Sequence, residues 1–68
     1  MTNLIGTKNV GYIILKQGKK SVIGYSETKK EYVAWSYHIT EDKNPSYYWG
    51  HYLTELADVD QAFDKKEA

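Results

Sequence analysis

The chain has 68 residues, no cysteine, no arginine and a formal net charge of zero. So short a chain allows one domain with a marginal core, and without cysteine it has neither disulfides nor thiolate metal sites. The charge is uneven. Residues 1–34 carry six lysines (Lys8, Lys16, Lys19, Lys20, Lys29, Lys30) against Glu27 and Glu31, while residues 35–68 carry three lysines against seven acids.

Residues 1–9 are expected to be flexible or to form an edge segment. They hold no apolar run of the secretory kind. No stretch of the chain reaches the ~18–20 apolar residues of a membrane span, and the expected location is the cytoplasm. The run "VGYIILK" (10–16) is β-branched and aromatic and predicts a strand. Gly18 suits a tight turn after it. "KSVIGYS" (20–26) predicts a second strand, and "ETKK" (27–30) a polar connection. "EYVAWSYHI" (31–39) alternates most clearly and predicts a third strand. Pro45 ends the loop "TEDKNP", and "SYYWGHY" (46–52) predicts a fourth. From Leu53 the apolar spacing becomes three to four, which predicts a helix over 54–66 with Thr54 or Asp58 as candidate N-caps.

These elements predict an α+β fold: a four-stranded antiparallel β-meander, residues 10–52, with one C-terminal α-helix packed on one face. A two-residue turn at Gln17–Gly18 would pair Leu15 with Lys20 and Ile13 with Val22. A four-residue connection at 27–30 would pair Val22 with Trp35 and Gly24 with Val33. One face then holds Ile13, Leu15, Val22, Val33, Trp35, Tyr37 and Ile39, and the helix is expected there with Leu56, Val59 and Phe63. Pairing Ile39 with Ser46 sets Gly50 opposite Trp35, where the absent Cβ leaves room for the indole. Tyr48 and Tyr52 would then face the helix, and Tyr47, Trp49 and His51 would join the second face. A slip of one residue reverses every one of these side chains.

Chemistry is sparse in this sequence. His38 and His51 are its only histidines and lack a third ligand at metal-binding spacing. The glycines form no phosphate loop, and no paired carboxylates or nucleophile stand at catalytic spacing. The expectation is a non-enzymatic module with no cofactor, no metal and no small-molecule substrate. Its expected partner is another protein or a second copy of itself, bound through the aromatic sheet face without a helix: Tyr12, Tyr25, Tyr32, Tyr47, Trp49 and His51. Exposed aromatic patches mark interaction sites, and Tyr and Trp dominate binding hot spots. The alternative is weak single-stranded nucleic-acid binding, with the tyrosines stacking on bases and the lysine-rich turns at the rim. The absence of arginine and the separation of the lysines over two turns weigh against it.

The combination of "EYVAWSY", "YYWGHY" and an acidic helix with an "AF" step, over roughly residues 31–65, resembles a group of short uncharacterised proteins. These are encoded by phages, prophages and mobile elements of Gram-positive bacteria. The resemblance implies a small cytoplasmic accessory protein that binds and alters a host factor. It brings no site residues with it.

Overall fold

A computed structural model describes residues 3–68. The order of elements is β1 (Lys8–Asn9), β2 (Tyr12–Gln17), β3 (Ser21–Ser26), β4 (Glu31–Ile39), β5 (Pro45–Leu53) and α1 (Leu56–Glu67). The sheet is an antiparallel meander in the order β1-β2-β3-β4-β5. It has five strands where the sequence predicts four. The extra one lies in the 1–9 segment, expected to be flexible or an edge: β1 is a two-residue edge strand, and Leu4 is buried. Residues 1 and 2 of that segment lie outside the described residues. Val10 and Gly11, both at positive φ (51° and 84°), turn the chain from β1 into β2. Val10 therefore belongs to a tight turn and not to a strand.

Two bulges overturn the predicted registers on either side of β3 and β4. Between β2 and β3, Ile14 pairs with Gly24 but Lys16 pairs with Ile23, so Leu15 is the extra residue. The ladder ends at Gln17↔Val22, and the turn runs through Gly18, Lys19 and Lys20 instead of closing at Gln17–Gly18. The β3–β4 register is the predicted one, with Val22 opposite Trp35 and Gly24 opposite Val33. The β4–β5 ladder follows the predicted register at Val33↔Tyr52 and Ala34↔His51. It then shifts by one, to Ser36↔Tyr48 and Ile39↔Pro45. Trp35 faces the two-residue bulge Trp49–Gly50. An extra residue inverts the side chains beyond it. Tyr47 consequently joins Trp35 and Tyr37, while Tyr48 lies by His38, the reverse of the expectation for both.

The bulges curl the sheet into a half-barrel. In a flat sheet β2 and β5, three strands apart, would be separated by about 14 Å. Here the rings of Tyr12 on β2 and Tyr52 on β5 meet with centroids 5.9 Å apart. The inside of the curl holds Leu4, Tyr12, Ile14, Val22, Val33, Trp35 and Tyr37, with Tyr47 packed against them. Trp35 is 5% exposed and sits among Tyr12, Tyr47 and Tyr52 at 5.2–6.3 Å between centroids.

The helix packs on the other side, which corrects the sequence expectation. Val59 and Phe63 lie on Ile23 and Ala34, with Tyr32, Leu53 and Ala62 at the margin. Leu56 is exposed and does not join them. Ala34 and Ser36 are small enough for a helix to approach, and Ile23 packs against its Val59 and Phe63. The inside of the curl is already filled by four large rings, and Trp35 and Phe63 belong to separate clusters. The residue before the helix, Glu55, is extended and makes no side-chain capping bond, and neither Thr54 nor Asp58 occupies that position. Asp58 in the first turn and Lys65 and Lys66 in the last suit the helix dipole.

Candidate functional site

The expected binding residues do not share one surface. Tyr12 lies inside the curl, donates its hydroxyl to Glu31 Oε1 at 2.7 Å and is buried. Tyr47 is half-buried beside Trp35. Tyr25 and Tyr32 are on the helix side, half-buried, with centroids 4.7 Å apart. His51 lines a groove of about 360 Å³ between β5 and α1, together with Leu53, Ala62, Lys65 and Lys66. Trp49 stands apart from all of them, 75% exposed on the edge strand β5.

The backbone at Trp49 is the unusual feature. Its φ is +50°, in the left-handed region that costs an L-residue about 1–2 kcal/mol. Among the described residues Val10, Lys30 and Lys43 also have positive φ, but they lie in turns and bends; Trp49 alone does so within a strand. The conformation follows from the bulge, where two residues must oppose one. Trp35 cannot give way, because it is wedged among three tyrosines. Gly50 lies directly under it: a Cβ at residue 50 would stand 2.7 Å from Trp35 Nε1 and 2.8 Å from Cδ1. The glycine that the sequence places over Trp35 is thus in place, but its neighbour takes the strained position of the bulge.

The helix supports this strain from below. Lys66 donates its ammonium to the Trp49 carbonyl at 2.7 Å and to Ser36 Oγ at 3.4 Å. Burial lowers the Lys66 pKa from its ordinary value. The Trp49 ring itself lies against Tyr48, edge to face, with centroids 5.0 Å apart. Tyr48, at 38% exposure, extends this exposed aromatic surface beside His38, whereas Tyr52, 53% exposed, lies on the inner side of β5 with Tyr12 and Trp35. Tyr48 was expected to face the helix and to be exposed only if the register slipped, and Lys66 was not among the expected site residues. The glycine after Trp49 in a strand pattern was the one signal of a bulge; nothing in the sequence pointed Lys66 at it.

Among the described residues no three histidine, aspartate or glutamate side chains cluster as metal ligands would. No helix among them is long and apolar enough to cross a membrane. Compared with known proteins, the chain matches no family model, no curated protein and no solved structure.

Proposed function

We propose that the chain is a small protein-binding module that acts by contact and not by catalysis, with Trp49 as its anchor. On the resemblance given above, it is an accessory protein of phage or mobile-element origin whose partner is a host protein; self-association through the same strand is the other form of this reading. One observation carries it. Trp49 is held in a costly backbone conformation while three quarters of its surface remains in water. Glycine at that position would remove the strain, and the ring gives the fold little in return. Strain retained at an exposed aromatic is a mark of a functional position, and Trp is the residue most enriched in binding hot spots. The revised anchor replaces the broader set of Tyr12, Tyr25, Tyr32, Tyr47, Trp49 and His51. Tyr12 stabilises the inside of the curl, and Tyr25 and Tyr32 flank the helix.

The test compares immobilised wild type with Trp49→Gly on lysate of Gram-positive cells, and the two proteins in sedimentation velocity. The reading predicts a protein retained by wild type and lost by the variant, or a wild-type dimer that becomes a monomer. Retention should change little with salt, whereas phosphate contacts would weaken it steeply. An identical captured set and an identical sedimentation coefficient for both proteins would refute Trp49 as the anchor.

A further inference from the structure

The β2–β3 turn binds a carboxylate. Glu67, in the last turn of α1, accepts hydrogen bonds from the Lys19 amide at Oε1 (2.8 Å), and at Oε2 from the Lys20 amide (2.8 Å) and Ser21 Oγ (2.6 Å). The Lys20 ammonium reaches the Ala68 carbonyl oxygen at 3.3 Å. Consecutive backbone amides that converge on one anion form a nest, a recurring anion-binding device. Gly18 makes the space: a Cβ there would lie 2.5 Å from the Glu67 carboxyl carbon and Oε1.

The turn is held from its other side without help from Glu67. Tyr37, buried in β4, donates its hydroxyl to the Gly18 carbonyl at 2.7 Å and its amide to the Lys20 carbonyl at 3.0 Å. The Gly18 amide donates to the Ser21 carbonyl at 2.8 Å. Gln17 Nε2 donates to the Tyr37 hydroxyl at 3.0 Å and fixes its direction. The Gly18 and Lys20 carbonyls are therefore tied to β4, and the amides of Lys19 and Lys20 face the helix end. Burial pushes the Glu67 carboxyl up, but the bonds from Ser21, Lys20 and Lys19 outweigh it and hold it below its ordinary value.

We propose that this turn is a carboxylate-binding site, that Glu67 fills it as an internal ligand, and that a carboxylate from outside the chain can replace it. The site is prearranged by Tyr37 and so persists when the helix end lifts away. Its external ligand would be a carboxylate on a protein, an acidic side chain or a chain end. Glu67 has the advantage of a tethered group, whose effective concentration is in the millimolar range or above. A free carboxylate competes poorly while Glu67 is present and binds measurably once it is gone. The proposal is independent of Trp49 and stands or falls on its own experiment.

Acetate is titrated into ¹⁵N-labelled wild type, Glu67→Ala and the double variant Glu67→Ala with Gly18→Ala, with chloride at equal ionic strength as the control. The proposal predicts saturable shifts of the Lys19 and Lys20 amides in Glu67→Ala. It predicts binding at least about tenfold weaker in wild type, where the tethered group competes, and no saturable shift in the double variant, where a Cβ occupies the space. Shifts in Glu67→Ala that stay linear, that chloride reproduces, or that the double variant retains overturn it. If Glu67→Ala does not fold, the same titration is read on Glu67→Ser, whose short side chain keeps a polar group at the helix end but is too short to fill the turn.

Discussion

Replacing Gly50 with alanine adds one methyl group where β5 lies under the Trp35 ring. The new carbon would meet Trp35 Nε1 at 2.7 Å, Trp35 Cδ1 at 2.8 Å and Tyr52 Cε1 at 3.0 Å. These are atoms of rigid rings. Trp35 cannot retreat, because Tyr12 and Tyr47 lie against it with centroids at 5.4 and 5.2 Å. Displacing the indole would also break its 3.4 Å bond from Nε1 to the Tyr52 hydroxyl. Overpacking of this kind costs about 1–3 kcal/mol. Reduced freedom of the unfolded chain returns about 0.4–1 kcal/mol. Three contacts at or below 3.0 Å to rigid rings put the overpacking cost in the upper half of its range, so the net loss is roughly 1–2.6 kcal/mol, which in a domain of this size lowers the melting temperature by about 4–21 °C. Thermal unfolding followed by circular dichroism measures it. A variant that melts at or above wild type would show that Trp35 does not lie over residue 50 and would remove the reason for the bulge.

Trp35→Ala empties the centre of the curl and should cost about 3–5 kcal/mol, most of the stability of so small a domain; a wild-type urea midpoint would contradict the burial of this ring. Tyr12, pushed up to about 12 first by its hydrogen bond to Glu31 and then by burial, should contribute a phenol step near that pH in an ultraviolet alkaline titration, and Tyr12→Phe should remove it. Because its folded value is raised, its contribution to stability is full below about pH 10 and is lost as pH rises through the folded value. Glu31→Gln should bring this phenol back toward its ordinary value, since Glu31 is the largest cause. Glu67 has the opposite sign. Its folded carboxyl lies below the ordinary value, so its contribution is present above the glutamate range and is lost as pH falls through the lowered value. The groups around it are the Lys19 and Lys20 amides, the Ser21 hydroxyl and, near the adjacent Ala68 carbonyl, the Lys20 ammonium. Glu67→Gln should flatten the acid limb of urea midpoint against pH; an unchanged limb argues against the clasp.

Much of the fold was legible in the sequence. β-Branched and aromatic runs marked the longer strands, with clear alternation at residues 31–39, the change of period marked the helix, and the four-residue connection at 27–30 set the β3–β4 register. Three things were not legible, each for a physical reason. β1 is two residues long and shows no periodicity, and Val10, a strand former by propensity, occupies a positive-φ turn position usually held by Asn or Gly. The bulges at Leu15 and Trp49 each add one residue, and face assignment by counting fails beyond them. The side taken by the helix could not be read from hydrophobicity, because both faces are apolar. Side-chain volume and curl decided it: the rings of Tyr12, Trp35, Tyr37 and Tyr47 fill the inside, and the small Ala34 and Ser36 leave the outside open. The candidate site was legible in one residue. Trp49 belonged to the expected set, but its exposure, its strain and its support by Lys66 all come from a bulge that counting could not place.

The most direct test of the account is the equilibrium urea denaturation of Trp49→Gly. Glycine releases the left-handed strain of about 1–2 kcal/mol, and its freer unfolded chain takes back about 0.4–1 kcal/mol. Loss of the edge contact with Tyr48 removes about 0.5 kcal/mol more, the low end for an aromatic pair because the site is so exposed. A tryptophan kept for binding therefore predicts a stability between about 0.5 kcal/mol below and about 1 kcal/mol above wild type. A loss of more than about 2 kcal/mol, approaching that of a core tryptophan, would show that Trp49 serves the fold and would contradict its assignment as a binding anchor.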